Sequence, residues 1–133
     1  MTPGVILRST LFALFLFVIT PPYALIALLT FPFTLPTRYR VISGWARLLI
    51  AAAERICGIR YRVIGAENVP RHPCIILSKH QSAWETLAFQ VILPPQAWVV
   101  KRELLWIPFF GWGLAMLDPI AIDRGAGRRA LRQ

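Results

Sequence analysis

Residues 74–92, CIILSKHQSAWETLAFQVI, decide the fold of this chain. The apolar run Cys74–Leu77 has the length of a buried strand. Ala83–Ile92 has helical spacing and stops before two consecutive prolines, which a helix does not cross. A strand joined to a helix by a short turn is the repeating unit of α/β sheets. The stretch therefore predicts an α/β fold in which residues 78–82 form the turn between a strand and a helix.

The flanking sequence extends this pattern in both directions. Short runs of strand length occur at Tyr61–Ile64, Ala97–Val100 and Pro119–Ile122. Between the last two lies Leu104–Leu117, which has no charged residue and is too short to cross a bilayer. A buried core helix is expected there, with an interfacial helix as the alternative. We accordingly expect four short strands alternating with helices over residues 58–133.

The amino-terminal part has a different composition. No charged residue occurs between Ser9 and Thr37, and the apolar run Leu11–Leu35 exceeds the roughly 20 residues that a spanning helix needs. It is also longer than the apolar core of a signal peptide and has no small-residue cleavage site after it. Pro21 and Pro22 argue against one straight helix, leaving a kinked span or a re-entrant hairpin. A second helix is expected at Val41–Ile59, either a core or lipid-contacting helix or an interfacial one. Residues 1–57 are therefore expected to form a membrane-associated helical region.

Charge narrows the possible partners. The 133 residues are 56% hydrophobic, and 15 Lys and Arg against 6 Asp and Glu give a net charge of +9. This composition excludes a disordered chain and favours an anionic membrane surface. The arginines are dispersed and the aromatics lie within apolar runs, so no nucleic-acid partner is expected. Basic residues after the apolar run predict inner-membrane attachment with residues beyond Arg38 in the cytoplasm.

His80 and Glu85 are the candidate catalytic pair. A histidine just past the carboxyl end of a strand lies where open α/β sheets place ligands. Five residues advance a helix by about 500°, so on one helix the side chains of His80 and Glu85 would point about 140° apart. His80 must therefore lie in the turn, with Glu85 folding back toward it from the first helical turn. The carboxylate could then hold one imidazole nitrogen and leave the other as a general base. Ser82 and Glu85 also form a capping-box pattern, so a purely structural role for Glu85 remains open.

Two ordered blocks resemble the glycerolipid acyltransferases typified by 1-acylglycerol-3-phosphate acyltransferase. The first block is SKHQSAWE at residues 78–85, and the second comprises KREL at 101–104, IPFFGW at 107–112 and IAIDR at 120–124. The turn before the first block, IGAENVP at 64–70, also matches, so the resemblance covers roughly residues 61–124. Glu85 stands where that family usually has Asp, Lys79 where Asn is frequent, and Asp118 and Pro119 where Gly is usual.

The resemblance implies a reaction and a set of roles. His80 would take the proton of the free hydroxyl of lysophosphatidic acid, and Glu85 would orient His80. Arg124 would bind the acceptor phosphate, with Lys101 and Ser82 as further substrate-binding residues. The acyl donor would be acyl-CoA or acyl carrier protein, and no metal or other cofactor is expected. The setting would be the cytoplasmic face of a bacterial inner membrane, with Leu104–Leu117 as a floor for the acyl chain.

The same resemblance leaves alternatives. The family's third block, a Glu-Gly-Thr-Arg-like phosphate-binding motif, and its fourth block are not among these residues. The chain therefore resembles the amino-terminal part of such an enzyme. Other lysophospholipids or a lipid A precursor are alternative acceptors, and an inactive membrane-anchored fragment is an alternative function. After the membrane region about 75 residues remain, a size at which a single core is marginal, so aggregation and no acyl transfer are expected of these residues alone.

Overall fold

The computed structural model describes residues 2–70, 72–123 and 125. Its longer elements are four helices, α1 (Pro3–Leu29), α2 (Leu35–Ala52), α3 (Ala83–Ile92) and α4 (Phe110–Ala115), and two strands, β1 (Val99–Lys101) and β2 (Ile120–Ile122). A π-helical turn, Ala53–Cys57, continues α2, and short 3-10 turns occupy Ala66–Asn68 and Arg102–Trp106. The described part of the chain is mostly helical, with one small sheet.

Most of the apolar run lies in one continuous helix. Helix α1 passes through Pro21 and Pro22 without interruption, so the chain does not turn back at these prolines. Apolar helices that pack in a membrane protein tolerate prolines in their interior. Thr20, just before the two prolines, donates its hydroxyl to the Leu16 carbonyl at 2.7 Å. The chain reverses only at residues 30–34. Among the described residues, α1 is the one helix long and apolar enough to cross a membrane, a property that core helices and signal sequences share.

Helix α2 returns alongside α1 as its antiparallel partner. The Tyr23 hydroxyl donates to the Val41 carbonyl at 3.0 Å, and Trp45 Nε1 donates to Thr20 Oγ1 at 3.2 Å. The approach is close because α2 has Gly44 where a methyl group would overlap the Tyr23 hydroxyl. The predicted second helix is confirmed, but it begins six residues earlier than expected, with Pro36 in its first turn, where a missing amide hydrogen costs nothing.

Helix α4 packs on the carboxyl-terminal half of α1. The buried core there contains Ala27, Tyr39, Ile42 and Leu117, with Met116 packed against it. An ion pair between Arg38 of α2 and Asp118, 3.1 Å apart, joins the helical hairpin to the turn before β2. One face of α1 therefore belongs to the same core as residues of α2 and Leu117.

The sheet is smaller than the sequence predicts. Strands β1 and β2 pair in parallel with Val99 opposite Ile120 and Lys101 opposite Ile122, which confirms two of the four predicted strands. The predicted strands Tyr61–Ile64 and Cys74–Leu77 are wrong for the described residues, where both segments are irregular. A strand exists only when a neighbour accepts and donates its backbone hydrogen bonds. No described segment pairs with either run, and Ile75 and Leu77 are about nine-tenths exposed.

The segment before β2 differs in detail from the expected helix. Instead of one helix over Leu104–Leu117, the chain forms the 3-10 turn Arg102–Trp106, a turn at Pro108, and then α4. Phe109 has a positive φ of 63°, and Gly111 lies so close to the Leu105 carbonyl that a side chain would overlap it. Pro108 cannot donate within a helix, so the helix restarts after it. The expected burial is confirmed for Leu117 but not for Trp106, which is 79% exposed.

Candidate active site

The turn between residues 77 and 83 brings His80 to the carboxylate of Glu85. His80 Nδ1 lies 3.5 Å from Glu85 Oε2, at the amino end of α3. This separation exceeds that of a formed hydrogen bond, and catalytic contacts of this kind commonly shorten when substrate binds. The His80 side chain is 67% exposed, whereas that of Glu85 is 19% exposed. The pair therefore presents an accessible imidazole supported by a sheltered carboxylate.

The Glu85 carboxylate is held by the backbone as well. Its Oε1 accepts from the Gln81 amide at 3.0 Å, and its Oε2 accepts from the Ser82 amide at 2.7 Å and from the Ser82 hydroxyl at 3.1 Å. The Ser82 hydroxyl in turn accepts from the Trp84 amide at 3.2 Å, which completes a capping box. The two interpretations of Glu85 are thus compatible, because the carboxylate that caps α3 is also the one that faces His80.

These contacts fix the charge state of Glu85. Desolvation acts to raise the pKa of its carboxyl, but the hydrogen bonds from the Ser82 and Gln81 amides and from the Ser82 hydroxyl outweigh it, so the pKa lies below its ordinary value. Glu85 is therefore ionised at neutral pH. An ionised carboxylate that faces Nδ1 favours the neutral tautomer with its proton on that nitrogen, which leaves Nε2 free to accept a proton.

An apolar cavity of about 330 Å³ opens beside His80. We call it the His80 cavity. Its walls come from α1, α2, α3, β1 and the segment that includes α4, and they are apolar apart from a few hydroxyl, amide and indole groups. Its lining residues include Ala24, Ala27, Ile42, Leu114 and Leu117. A volume of this size is at the lower end of the range for small-molecule sites.

The other predicted site residues are Lys101, Ser82 and Arg124. Lys101 is exposed at the carboxyl end of β1, opposite Ile122 of β2. Ser82 uses its hydroxyl in the capping box described above. Arg124 lies outside the described residues. Since parallel strands present their carboxyl ends at one sheet edge, Lys101 shares its edge with the end of β2, two residues before Arg124 in the sequence.

Sequence reasoning did not predict that α1 and α2 line the site. Thr20, Tyr23 and Trp45 all border the His80 cavity. A signal was present in α1, where Thr20, Ala24 and Ala27 recur at helical spacing and form a stripe of small residues suited to close packing. The absence of charge in α1 after Arg8 indicated lipid contact and obscured the side of the helix that faces the protein.

Comparison with known proteins identifies the family. A family profile described as Acyltransferase matches residues 60–133, more than half of the chain. The chain belongs to the Acyltransferase family, which confirms the resemblance seen in the two sequence blocks. No solved structure gives a significant match.

Several curated relatives carry the same name. The chain is 54% identical over 97 residues to the 1-acyl-sn-glycerol-3-phosphate acyltransferase of Pseudomonas aeruginosa, covering 72% of this chain and 38% of that protein. It is 30% identical over 93 residues to the Saccharomyces cerevisiae protein of that name, covering 68% and 31%. It is 38% identical over 80 residues to the alpha form from Mus musculus, covering 59% and 28%. The chain thus spans less than two-fifths of the length of these relatives.

Proposed function

We propose that the enzyme containing this chain transfers an acyl group from acyl-CoA or acyl carrier protein to the free hydroxyl of 1-acylglycerol 3-phosphate, giving phosphatidic acid. The observation that carries the proposal is the His80–Glu85 pair at the edge of an apolar cavity. The names of the relatives support the choice of acceptor.

In the proposed mechanism His80 acts as general base. Glu85 faces Nδ1, so Nε2 is the nitrogen that takes the proton of the acceptor hydroxyl. The hydroxyl oxygen forms a bond to the thioester carbonyl carbon, and the carbon–sulfur bond breaks as the carbonyl re-forms. The departing thiolate takes the proton back from Nε2, which returns His80 to its neutral state. The ionised Glu85 lowers the cost of the imidazolium that exists between these two transfers.

The His80 cavity suits the acyl chain of the donor. The reacting carbon is the first carbon of that chain, so the chain must begin beside His80. The cavity borders His80 and continues into apolar surroundings at Leu114 and Leu117. These two residues lie in the segment expected from the sequence to form the floor of an acyl site. Burial of hydrocarbon there is favourable by about 0.8 kcal/mol per methylene.

The acceptor phosphate is proposed to bind at the sheet edge that carries Lys101. The resemblance assigns Arg124 to this role, and a planar guanidinium suits a phosphate because it donates two parallel hydrogen bonds. Lys101 supplies a positive charge on that edge, at the carboxyl end of β1. Ser82 remains a proposed contact for the substrate near His80.

The helical hairpin is proposed to attach the enzyme to the cytoplasmic face of a bacterial inner membrane. Large apolar side chains of α1 remain exposed along one helical stripe over its length: Leu7, Leu11, Leu14, Phe17, Val18, Leu25 and Leu29. We call this the lipid stripe. The opposite side of α1 packs on α2, which carries Arg40 and Arg47. Because α2 runs beside α1 with these charges, we propose that the hairpin lies in one leaflet rather than sending α1 alone across the bilayer.

The test of the proposed function is a substrate panel. Purified full-length enzyme is assayed with acyl-CoA and with acyl carrier protein as donors, against 1-acylglycerol 3-phosphate, other lysophospholipids and a lipid A precursor. We expect the highest kcat/KM with 1-acylglycerol 3-phosphate. A higher kcat/KM with another acceptor would assign the enzyme to that lipid, and no turnover with any of them would refute the function.

A further inference from the structure

A second apolar cavity of about 370 Å³ lies beside the His80 cavity. We call it the Leu16 cavity. It is bordered by α1, α2, α3 and the turn before α4. The residues that line it without lining the His80 cavity are Leu16, Phe17, Pro21, Leu49, Ile107 and Pro108. His80 is not part of its lining.

The two cavities adjoin and share part of their lining. Trp45 and Phe110 border both, and their ring centroids lie 6.1 Å apart. Trp45 is fixed on its other side by the hydrogen bond from its Nε1 to Thr20 Oγ1, at 3.2 Å. Ala83 and Leu87 of α3 also border both cavities. The site therefore has two adjoining apolar compartments, of which only one borders the base.

We propose that the Leu16 cavity holds the acyl chain that the acceptor already carries. The proposal rests on the proposed function, in which donor and acceptor each bring one acyl chain. The donor chain begins at the reacting carbon and so must start beside His80. The acceptor chain is joined through an ester to the glycerol carbon adjacent to the one that bears the reacting hydroxyl. It therefore starts several bonds away from the reacting oxygen. A compartment next to the base but not bordered by it fits the second chain.

The lining chemistry agrees with a hydrocarbon occupant. The hydroxyls of Thr20 and Thr86 border the Leu16 cavity, but they donate to the carbonyls of Leu16 and Ala83, both at 2.7 Å. The remaining lining is apolar apart from the Trp45 indole, whose N–H is also bonded. No charged side chain borders the cavity among the described residues. Such walls favour methylene groups over a phosphate or a sugar.

The position of the cavity also gives the chain a route from the bilayer. Phe17 lines the Leu16 cavity and belongs to the lipid stripe, with 72% of its surface exposed. An acyl chain that passes Phe17 therefore moves from lipid to the cavity without crossing water. This route suits a substrate that is itself a membrane lipid.

Two matched substitutions test the assignment in the full-length enzyme. Leu16→Trp adds bulk to the Leu16 cavity, and Leu114→Trp adds the same bulk to the His80 cavity; each leucine borders one cavity and is partly exposed. Each buried methylene contributes a factor of about four to binding, so displacing two raises KM by roughly 15-fold. We expect Leu16→Trp to raise KM at least about tenfold for long-chain 1-acylglycerol 3-phosphate and to leave a short-chain analogue unchanged. Leu114→Trp should shift the donor preference to shorter chains.

Binding without turnover separates this proposal from the proposed function. Equilibrium binding of long-chain and short-chain 1-acylglycerol 3-phosphate is measured with no thioester present. Weaker binding of the long-chain lipid alone to Leu16→Trp supports the cavity assignment even if turnover is absent. Equal weakening for both lipids, no weakening for either, or a Leu16→Trp enzyme with altered donor preference would overturn it. Dissociation constants of both variants for the short-chain analogue that equal the wild-type value show that the variants are folded.

Discussion

The substitution Gly44→Ala tests the close packing of α1 on α2. A methyl group at this position would overlap the Tyr23 hydroxyl, which itself donates to the Val41 carbonyl at 3.0 Å. Forcing an extra methyl into a packed site costs about 1–3 kcal/mol. Replacing glycine by alanine within a helix gains about 1 kcal/mol. The balance predicts that Gly44→Ala destabilises the protein by up to about 2 kcal/mol.

Removing the Tyr23 hydroxyl should reverse the sign of this effect. Tyr23→Phe alone loses one hydrogen bond, worth about 1 kcal/mol. In that background the added methyl would meet only the ring carbon at 3.5 Å, an ordinary contact, so Gly44→Ala should gain up to about 1 kcal/mol. Gly4→Ala is the matched control, since nothing lies within 4 Å of the added methyl.

The assay is the thermal midpoint of unfolding, measured in detergent on the full-length enzyme for the four proteins of this double-mutant cycle. About 1 kcal/mol corresponds to roughly 2–4 °C for a domain of 150–250 residues. The expected order places Gly44→Ala below the wild type and the double variant above Tyr23→Phe. If Gly44→Ala lowered the midpoint equally in both backgrounds, the hydroxyl would not be the obstacle and the described packing of α1 on α2 would be refuted.

Three further outcomes are expected of the full-length enzyme. Glu85→Gln should lower kcat at least about tenfold, because the carboxylate charge supports the imidazolium. Glu85→Asp should keep most of the wild-type kcat. If the Gln variant kept nearly the full rate, the role of Glu85 would be to cap α3. Arg124→Ala should raise KM for the phosphorylated acceptor more than for the thioester, and an equal rise for both would remove Arg124 from the phosphate site. The membrane hairpin should keep the protein in the pellet on carbonate extraction, and release of intact protein to the supernatant would contradict the attachment.

The sequence predicts the best-defined part of the site because local rules govern it. The expected helix Ala83–Ile92 has the same bounds in the structure, since Ser82 and Glu85 cap its start and the prolines after Leu93 end it. The same capping contacts bring Glu85 toward His80. The conformation of this turn is therefore determined by residues that lie within five positions of one another in the sequence.

Tertiary packing decides the features that the sequence did not predict. The runs Tyr61–Ile64 and Cys74–Leu77 have strand composition, but composition does not supply a pairing neighbour. Likewise, the apolar run of α1 indicates lipid on all sides, whereas one side of it packs on α2 and α4 and borders both cavities. Contacts such as Thr20 with Trp45 join positions 25 residues apart, beyond the reach of a local pattern.

The most direct test of the central claim is the turnover of His80→Ala beside that of His72→Ala. Both histidines are exposed in loops, but only His80 faces a carboxylate and borders the cavity among the described residues. A general base contributes about 10²–10⁴-fold to the rate. With 1-acylglycerol 3-phosphate and its preferred thioester, the full-length His80→Ala enzyme should therefore lose at least about a hundredfold in kcat, and His72→Ala should keep the wild-type value. A His80→Ala enzyme with a kcat within a few-fold of the wild type would contradict the assignment of His80 as the base.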